Sequence, residues 1–126
     1  MSVNRARLGR SFAVAGSGLA RAWATQPNLR LEVAIGLVAL GTAAWLRAPA
    51  APIVIACTVV LAMELMNSAV EAVVDLASPN FHQLAGTAKD LAAAAVLTAS
   101  IGAVVVGLVV LGPPLLARLT SWGGAG

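Results

Sequence analysis

The chain has 126 residues, of which 60% are hydrophobic and 10% charged, and its net charge is +3. Soluble domains have about a quarter of their residues charged, and small ones have the most surface to cover, so this composition excludes a soluble fold and calls for a bilayer. The length accommodates one domain, residues 1–126. Nucleic acid is not an expected partner, because the arginines border apolar stretches and no RNA- or DNA-binding motif accompanies them. Cys57 is the single cysteine, so no internal disulfide forms. Arginines recur through the first twenty residues without an uninterrupted apolar core, so no cleaved signal is expected.

The first expected element is an amphipathic helix over residues 5–23. Leu8, Phe12, Ala15, Leu19 and Trp23 recur at spacings of three and four, while Arg7, Arg10 and Arg21 supply positive charge. That pattern suits a helix lying in the membrane interface against anionic lipid headgroups. Three transmembrane helices follow, each near the roughly 20 apolar residues that a span requires. Residues 29–46 carry Arg30 and Glu32 only at their start. Residues 53–76 begin after Pro49 and Pro52, which suit a helix entrance. Residues 91–111 are followed by Pro113 and Pro114, which are expected to stop the helix. Trp45 and Trp122 fall near span ends, where indole rings favour the interface. The expected fold is therefore an all-α integral membrane protein with an interfacial helix and three spans.

Orientation follows from the eight Lys and Arg residues. Arg5, Arg7, Arg10, Arg21 and Arg30 precede the first span, and Lys89 lies in the second connection. Only Arg47 and Arg118 fall on the other side. The excess predicts a cytoplasmic N-terminus, a cytoplasmic connection from Asp75 to Lys89, and an external C-terminus.

The second span carries Glu64, Asn67, Glu71 and Asp75 at spacings of three, four and four, so they share one helical face with Ser68 beside them. Each ionisable group inside a span costs about 2.5–3.5 kcal/mol on insertion scales, so such groups usually serve a purpose. Hydrogen-bonded glue between helices explains one Asn more easily than three acids. A carboxylate in an apolar setting suits a general base, and a second one a turn or two away can hold Mg²⁺ against nucleotide phosphates. Lys89 and Asp90, just past the loop, offer a cation for phosphate and a further acceptor. Together these groups permit phosphoryl transfer at a membrane surface. A small transporter using Glu64 and Glu71 as proton-linked sites is the alternative, although the chain shows no inverted repeat. A structural subunit leaves the acids unexplained. No P-loop, glycine-rich nucleotide loop or protein-kinase catalytic loop is present, so a kinase here has an unrelated design.

Residues 64–75, ELMNSAVEAVVD, resemble the signature E-x-x-N-[ST]-[AS]-[VI]-E-x-V-V-D of the prokaryotic diacylglycerol kinase family, which includes the undecaprenol kinases. F-H-x-L-A at 81–85 and A-K-D at 88–90 follow at the family's spacing. Q-P-N-L-R at 26–30 is similar to the E-x-N-[FM]-R segment of the undecaprenol kinase branch. The likeness runs over residues 7–113. It implies a bacterial inner-membrane homotrimer whose composite sites phosphorylate a lipid alcohol with ATP, each site shared between neighbouring chains. Glu64 would then be the catalytic base at the lipid hydroxyl, with Asn67 in support, and Glu71 would hold the Mg²⁺ carried by ATP. Lys89 and Asp90 would contact the nucleotide, as would the loop at Asn80, Phe81 and His82. Arg7 aligns with an arginine near substrate and nucleotide. Gln26 stands where the family usually has a second metal-binding glutamate; an amide oxygen can coordinate Mg²⁺ but brings no charge, and Glu32 lies near enough in sequence to compensate. The F-H-x-L-A and P-N-x-R segments lean toward undecaprenol over diacylglycerol, whose primary hydroxyls are alike.

Overall fold

The computed structural model describes residues 5–123, which form four helices: α1 (Arg5–Thr25), α2 (Pro27–Leu46), α3 (Ala51–Ala77) and α4 (Gln83–Gly123). The expected all-helical fold is borne out, and three of these helices are long and apolar enough to cross a membrane.

The break between α1 and α2 is written in the sequence. Pro27 disfavours helical backbone at the residue before it, and Gln26 accordingly adopts extended angles of φ −109° and ψ 100°. Pro27 itself sits at the start of α2, where its missing N–H costs nothing. Gln26 is thereby fixed at a corner. Along α1, Leu8, Phe12, Leu19 and Trp23 are all exposed, so its apolar face has no partner within the chain.

The 20 residues of α2 extend about 30 Å, the thickness of a bilayer core. The helix closes on Arg47, which adopts left-handed angles of φ 56° and ψ 31°. The amide of Ala48 returns to the Ala43 carbonyl at 2.9 Å and that of Arg47 to Ala44 at 3.2 Å. Glycine is the usual residue at such a closure. Arg118 of α4 reinforces it: Nη1 donates to the Trp45 carbonyl at 2.9 Å, and the guanidinium lies 4.7 Å over the Trp45 ring. Trp122 completes the cluster, edge to face with Trp45 at 6.4 Å.

With 27 and 41 residues, α3 and α4 reach about 40 and 60 Å, so both project beyond a 30 Å hydrocarbon layer. They form the most extensive helix pair, and α2 lies against α3. Two expectations need correction. The third helix is not confined to residues 91–111, and Pro113 and Pro114 do not stop it; α4 runs through both to Gly123. Each proline removes one donor, but in an apolar medium continuing the helix keeps the remaining backbone groups paired, and the Arg118 contacts hold the last turns. The cytoplasmic connection is also shorter than Asp75–Lys89, since only residues 78–82 separate α3 from α4.

Among the described residues the buried set is small: Leu29, Gly36, Ala43, Ile53, Val60 and Glu64. The one acid in that set is the centre of the candidate site.

Candidate active site

The acidic stripe of α3 is graded. Glu64 is 4% exposed, Asn67 and Glu71 are half-buried, and Asp75 is exposed beyond them. Asn67 Nδ2 donates to Glu71 Oε1 at 3.2 Å, the i,i+4 contact that the spacing predicts. Its other terminus, Oδ1, is buried without a partner. Ser68 Oγ donates to the Glu64 carbonyl at 3.0 Å, so it braces the helix backbone rather than the acids.

Glu32 of α2 is half-buried, and its Oε2 is sealed away without a partner. Sequence reasoning offered Glu32 only as a substitute for Gln26. The stronger signal was the cost of leaving a carboxylate within the first two turns of a span.

Gln26 lines a hollow of about 670 Å³ between α1 and α3, together with Ser68 and Ala72, the neighbour of Glu71 in sequence. Among the described residues no three His, Cys, Asp or Glu side chains cluster as a complete metal site. The donors present still fit Mg²⁺, which is commonly held by one or two carboxylates plus substrate phosphates. Glu71 supplies the charge, and the unpaired Asn67 oxygen is a hard ligand of the required kind.

At the α3–α4 hairpin, Lys89 Nζ donates to Asp75 Oδ1. This hydrogen bond is the largest influence raising the Lys89 pKa above its ordinary 10.5, and the charges of Asp75 and Glu71 add to it. A lysine pKa raised by folding stabilises the fold at all pH values below the unfolded pKa, and that contribution fades only as pH climbs through the folded one. Lys89 is therefore charged throughout the neutral range. Lys89, Asp75, Asn80, Phe81 and His82 line one hollow of about 250 Å³. Lys89 sits nearly two turns into α4 rather than just past a loop, and Asp90 is exposed one position round the helix, away from that lining.

The loop residues have local duties as well. His82 Nδ1 accepts the Leu84 amide at 3.2 Å and caps the start of α4, and Ser78 Oγ donates to the Asn80 carbonyl at 3.0 Å. Phe81 is 97% exposed. Arg7, exposed on α1, lines none of these hollows, so a single chain does not bring it to the acids.

The family model for prokaryotic diacylglycerol kinase matches residues 13–111, which contain the whole acidic stripe and the Lys89 hollow. The chain belongs to that family. Its relatives include a diacylglycerol kinase of Synechocystis, 44% identical over 113 residues, a match covering 86% of this chain and 65% of the relative. The chain thus spans just under two thirds of that relative's length. The Escherichia coli diacylglycerol kinase is 41% identical over 91 residues, covering 70% of this chain and 75% of the relative. An undecaprenol kinase of Bacillus subtilis is 31% identical over 117 residues, covering 86% and 91%. All the candidate site residues except Arg7 fall inside the matched segment.

Proposed function

We propose that the protein is a lipid kinase that transfers the γ-phosphoryl group of ATP to the hydroxyl of a membrane lipid alcohol. The single observation that carries this reading is the graded stripe of α3. It runs from a carboxylate sealed in the membrane at Glu64, through the Asn67–Glu71 hydrogen bond, to a basic hollow at Lys89. The family supports the reaction class, and the graded stripe supports the roles assigned to these residues.

Glu64 lies deepest, where a lipid hydroxyl is accessible and water is scarce. As the hydroxyl oxygen attacks the γ-phosphorus, Glu64 takes its proton, and ADP departs toward the cytoplasm. Glu71, positioned by Asn67, would hold Mg²⁺ with an oxygen of Gln26. That ion, when bound, supplies positive charge against the phosphoryl oxygens. Lys89 and Asp90, with Asn80, Phe81 and His82, hold the nucleotide at the hairpin end, and Arg7 approaches lipid and nucleotide from α1. One chain leaves Arg7 apart and Mg²⁺ short of protein ligands, which supports a homotrimer with sites shared between neighbours. The six-to-two distribution of basic residues supports a cytoplasmic N-terminus and active site, an external C-terminus, and α1 lying in the inner interface. The domain is one catalytic unit, residues 1–126.

The Synechocystis and Escherichia coli diacylglycerol kinases are 44% and 41% identical and the Bacillus subtilis undecaprenol kinase 31%, which favours diacylglycerol against the lean of the short loop segments. The transporter alternative has no support, since the matched family and these relatives are named as kinases. Detergent-purified protein tests the reading. ATP consumption should require a lipid alcohol, and rates on diacylglycerol and undecaprenol measured side by side choose the lipid. ATP turnover indifferent to either lipid would refute it.

A further inference from the structure

Residues past 111 lie outside the segment that the family model matches, yet α4 continues as helix to Gly123. Arg118 of this extension is half-buried against the last turn of α2. Its Nη1 donates to the Trp45 carbonyl at 2.9 Å, and its guanidinium lies 4.7 Å over the Trp45 ring. A second arginine, Arg47, closes the same turn two residues beyond Trp45. Trp122 stands edge to face with Trp45, and the two residues remain 67% and 48% exposed. Because α2 has about the length of a hydrocarbon core, this end of the bundle falls at headgroup depth, where indole rings settle.

The charge here is unbalanced. The five acids of the chain, Glu32, Glu64, Glu71, Asp75 and Asp90, all lie toward the other end. Glu32 precedes Arg47 by 15 residues along α2, and Glu64 follows the start of α3 by 13, which puts each about 20 Å deeper. That is more than twice the roughly 8 Å over which charges act at physiological salt. A neighbouring copy in the same orientation carries its acids at the same depth and adds none at this end. The one ion pair among the described residues, Lys89 with Asp75, is also remote. A guanidinium has about five N–H donors, of which Arg118 spends one on Trp45. Arg47 is the only non-glycine residue with positive φ among the described residues, at a closure that glycine fits without strain. Strain of this kind is typical of ligand clamps.

We propose that Arg47 and Arg118, flanked by Trp45 and Trp122, bind the phosphate of an anionic phospholipid at the end of the bundle opposite the acidic stripe. Guanidinium forks match phosphate oxygens, and the phosphate supplies the counter-charge that the chain lacks here. Exposed indole beside the arginines suits the glycerol and upper acyl chains that come with such a headgroup. With Glu64 about 20 Å deeper along α3, this lipid is held without being phosphorylated.

The tryptophans report occupancy without any turnover. The chain has three, so in full-length Trp23→Phe protein the remaining two, Trp45 and Trp122, both belong to the site. That protein, in phosphatidylcholine vesicles, is titrated with phosphatidylglycerol brominated on its acyl chains and, separately, with brominated phosphatidylcholine. Each arginine beside an anionic lipid contributes about fivefold in association, so phosphatidylglycerol should quench at a mole fraction at least about fivefold lower. Arg47→Gly should cut that preference about fivefold without lowering the melting temperature, because glycine relieves the left-handed backbone. Arg10→Gln, on α1 at the other end, should keep the preference. Equal quenching by the two lipids would overturn the proposal, as would a preference that survives in both Arg47→Gly and Arg118→Gln. A melting temperature that falls together with binding in Arg47→Gly would return Arg47 to the fold and overturn its place in the site. Displacement by millimolar glycerol phosphate in bulk water would hand the arginines to a soluble anion and overturn the assignment to lipid.

Discussion

Replacing Asn67 by alanine isolates the contact that would position Glu71 as the proposed metal ligand. Asn67 Nδ2 holds Glu71 Oε1 at 3.2 Å, and no other side chain of the described residues donates to that carboxylate. A hydrogen bond to a charged group contributes about 1.5–3 kcal/mol. Here the distance lies at the long limit for N–H···O and Glu71 is only half-buried, so the lower figure applies, about 1.5 kcal/mol or tenfold. Losses of about 10–100-fold are also what removal of a group supporting a metal ligand typically causes. The assay is lipid phosphorylation titrated with Mg²⁺ at fixed ATP. Asn67→Ala should raise the half-maximal Mg²⁺ concentration about tenfold while saturating Mg²⁺ restores most of kcat. Ser68→Ala serves as the control, because its hydroxyl bonds only to the Glu64 backbone carbonyl. Superimposable curves for wild type and Asn67→Ala would refute the reasoning, as would an equal shift in Ser68→Ala.

Gln26→Glu restores a charge at the corner before α2 and should lower the half-maximal Mg²⁺ concentration; identical titration curves would remove Gln26 from the metal site. Glu64→Gln should abolish turnover while ATP binding survives, since general bases contribute about 10²–10⁴-fold, and a tenth of wild-type kcat remaining would exclude that role. Lys89→Ala removes the cation of the hairpin hollow and should raise the KM for ATP more than it lowers kcat, so a selective effect on the lipid KM would contradict the assignment. In a Cys57→Ala background, a membrane-impermeant thiol reagent on intact cells should label Ser121→Cys and spare Ser78→Cys; the reverse would place the acids on the side without ATP.

Much of this architecture is legible from local rules. Span lengths follow from apolar runs against bilayer thickness, and the corner at Gln26 follows from Pro27. The Asn67–Glu71 contact follows from helical spacing alone. What stayed hidden depends on the medium or on how helices meet. Pro113 and Pro114 read as a stop by rules formed in water, but lipid penalises an unravelled backbone more than two missing donors. The Lys89–Asp75 pair joins residues 14 apart across a hairpin, whose register no periodicity reveals. Arg118 over Trp45 likewise closes the outer ends of two helices 73 positions apart.

The measurement that bears most directly on the central claim is the fate of the γ-phosphate. Purified protein, γ-³²P-ATP, Mg²⁺ and a lipid alcohol are incubated together, and the lipid fraction is separated and identified. Wild-type protein should place the label on the lipid hydroxyl as a phosphomonoester, with none transferred by Glu64→Gln or to the methyl ether of the same lipid. Label recovered only as inorganic phosphate, or on a lipid without a free hydroxyl, would contradict the account.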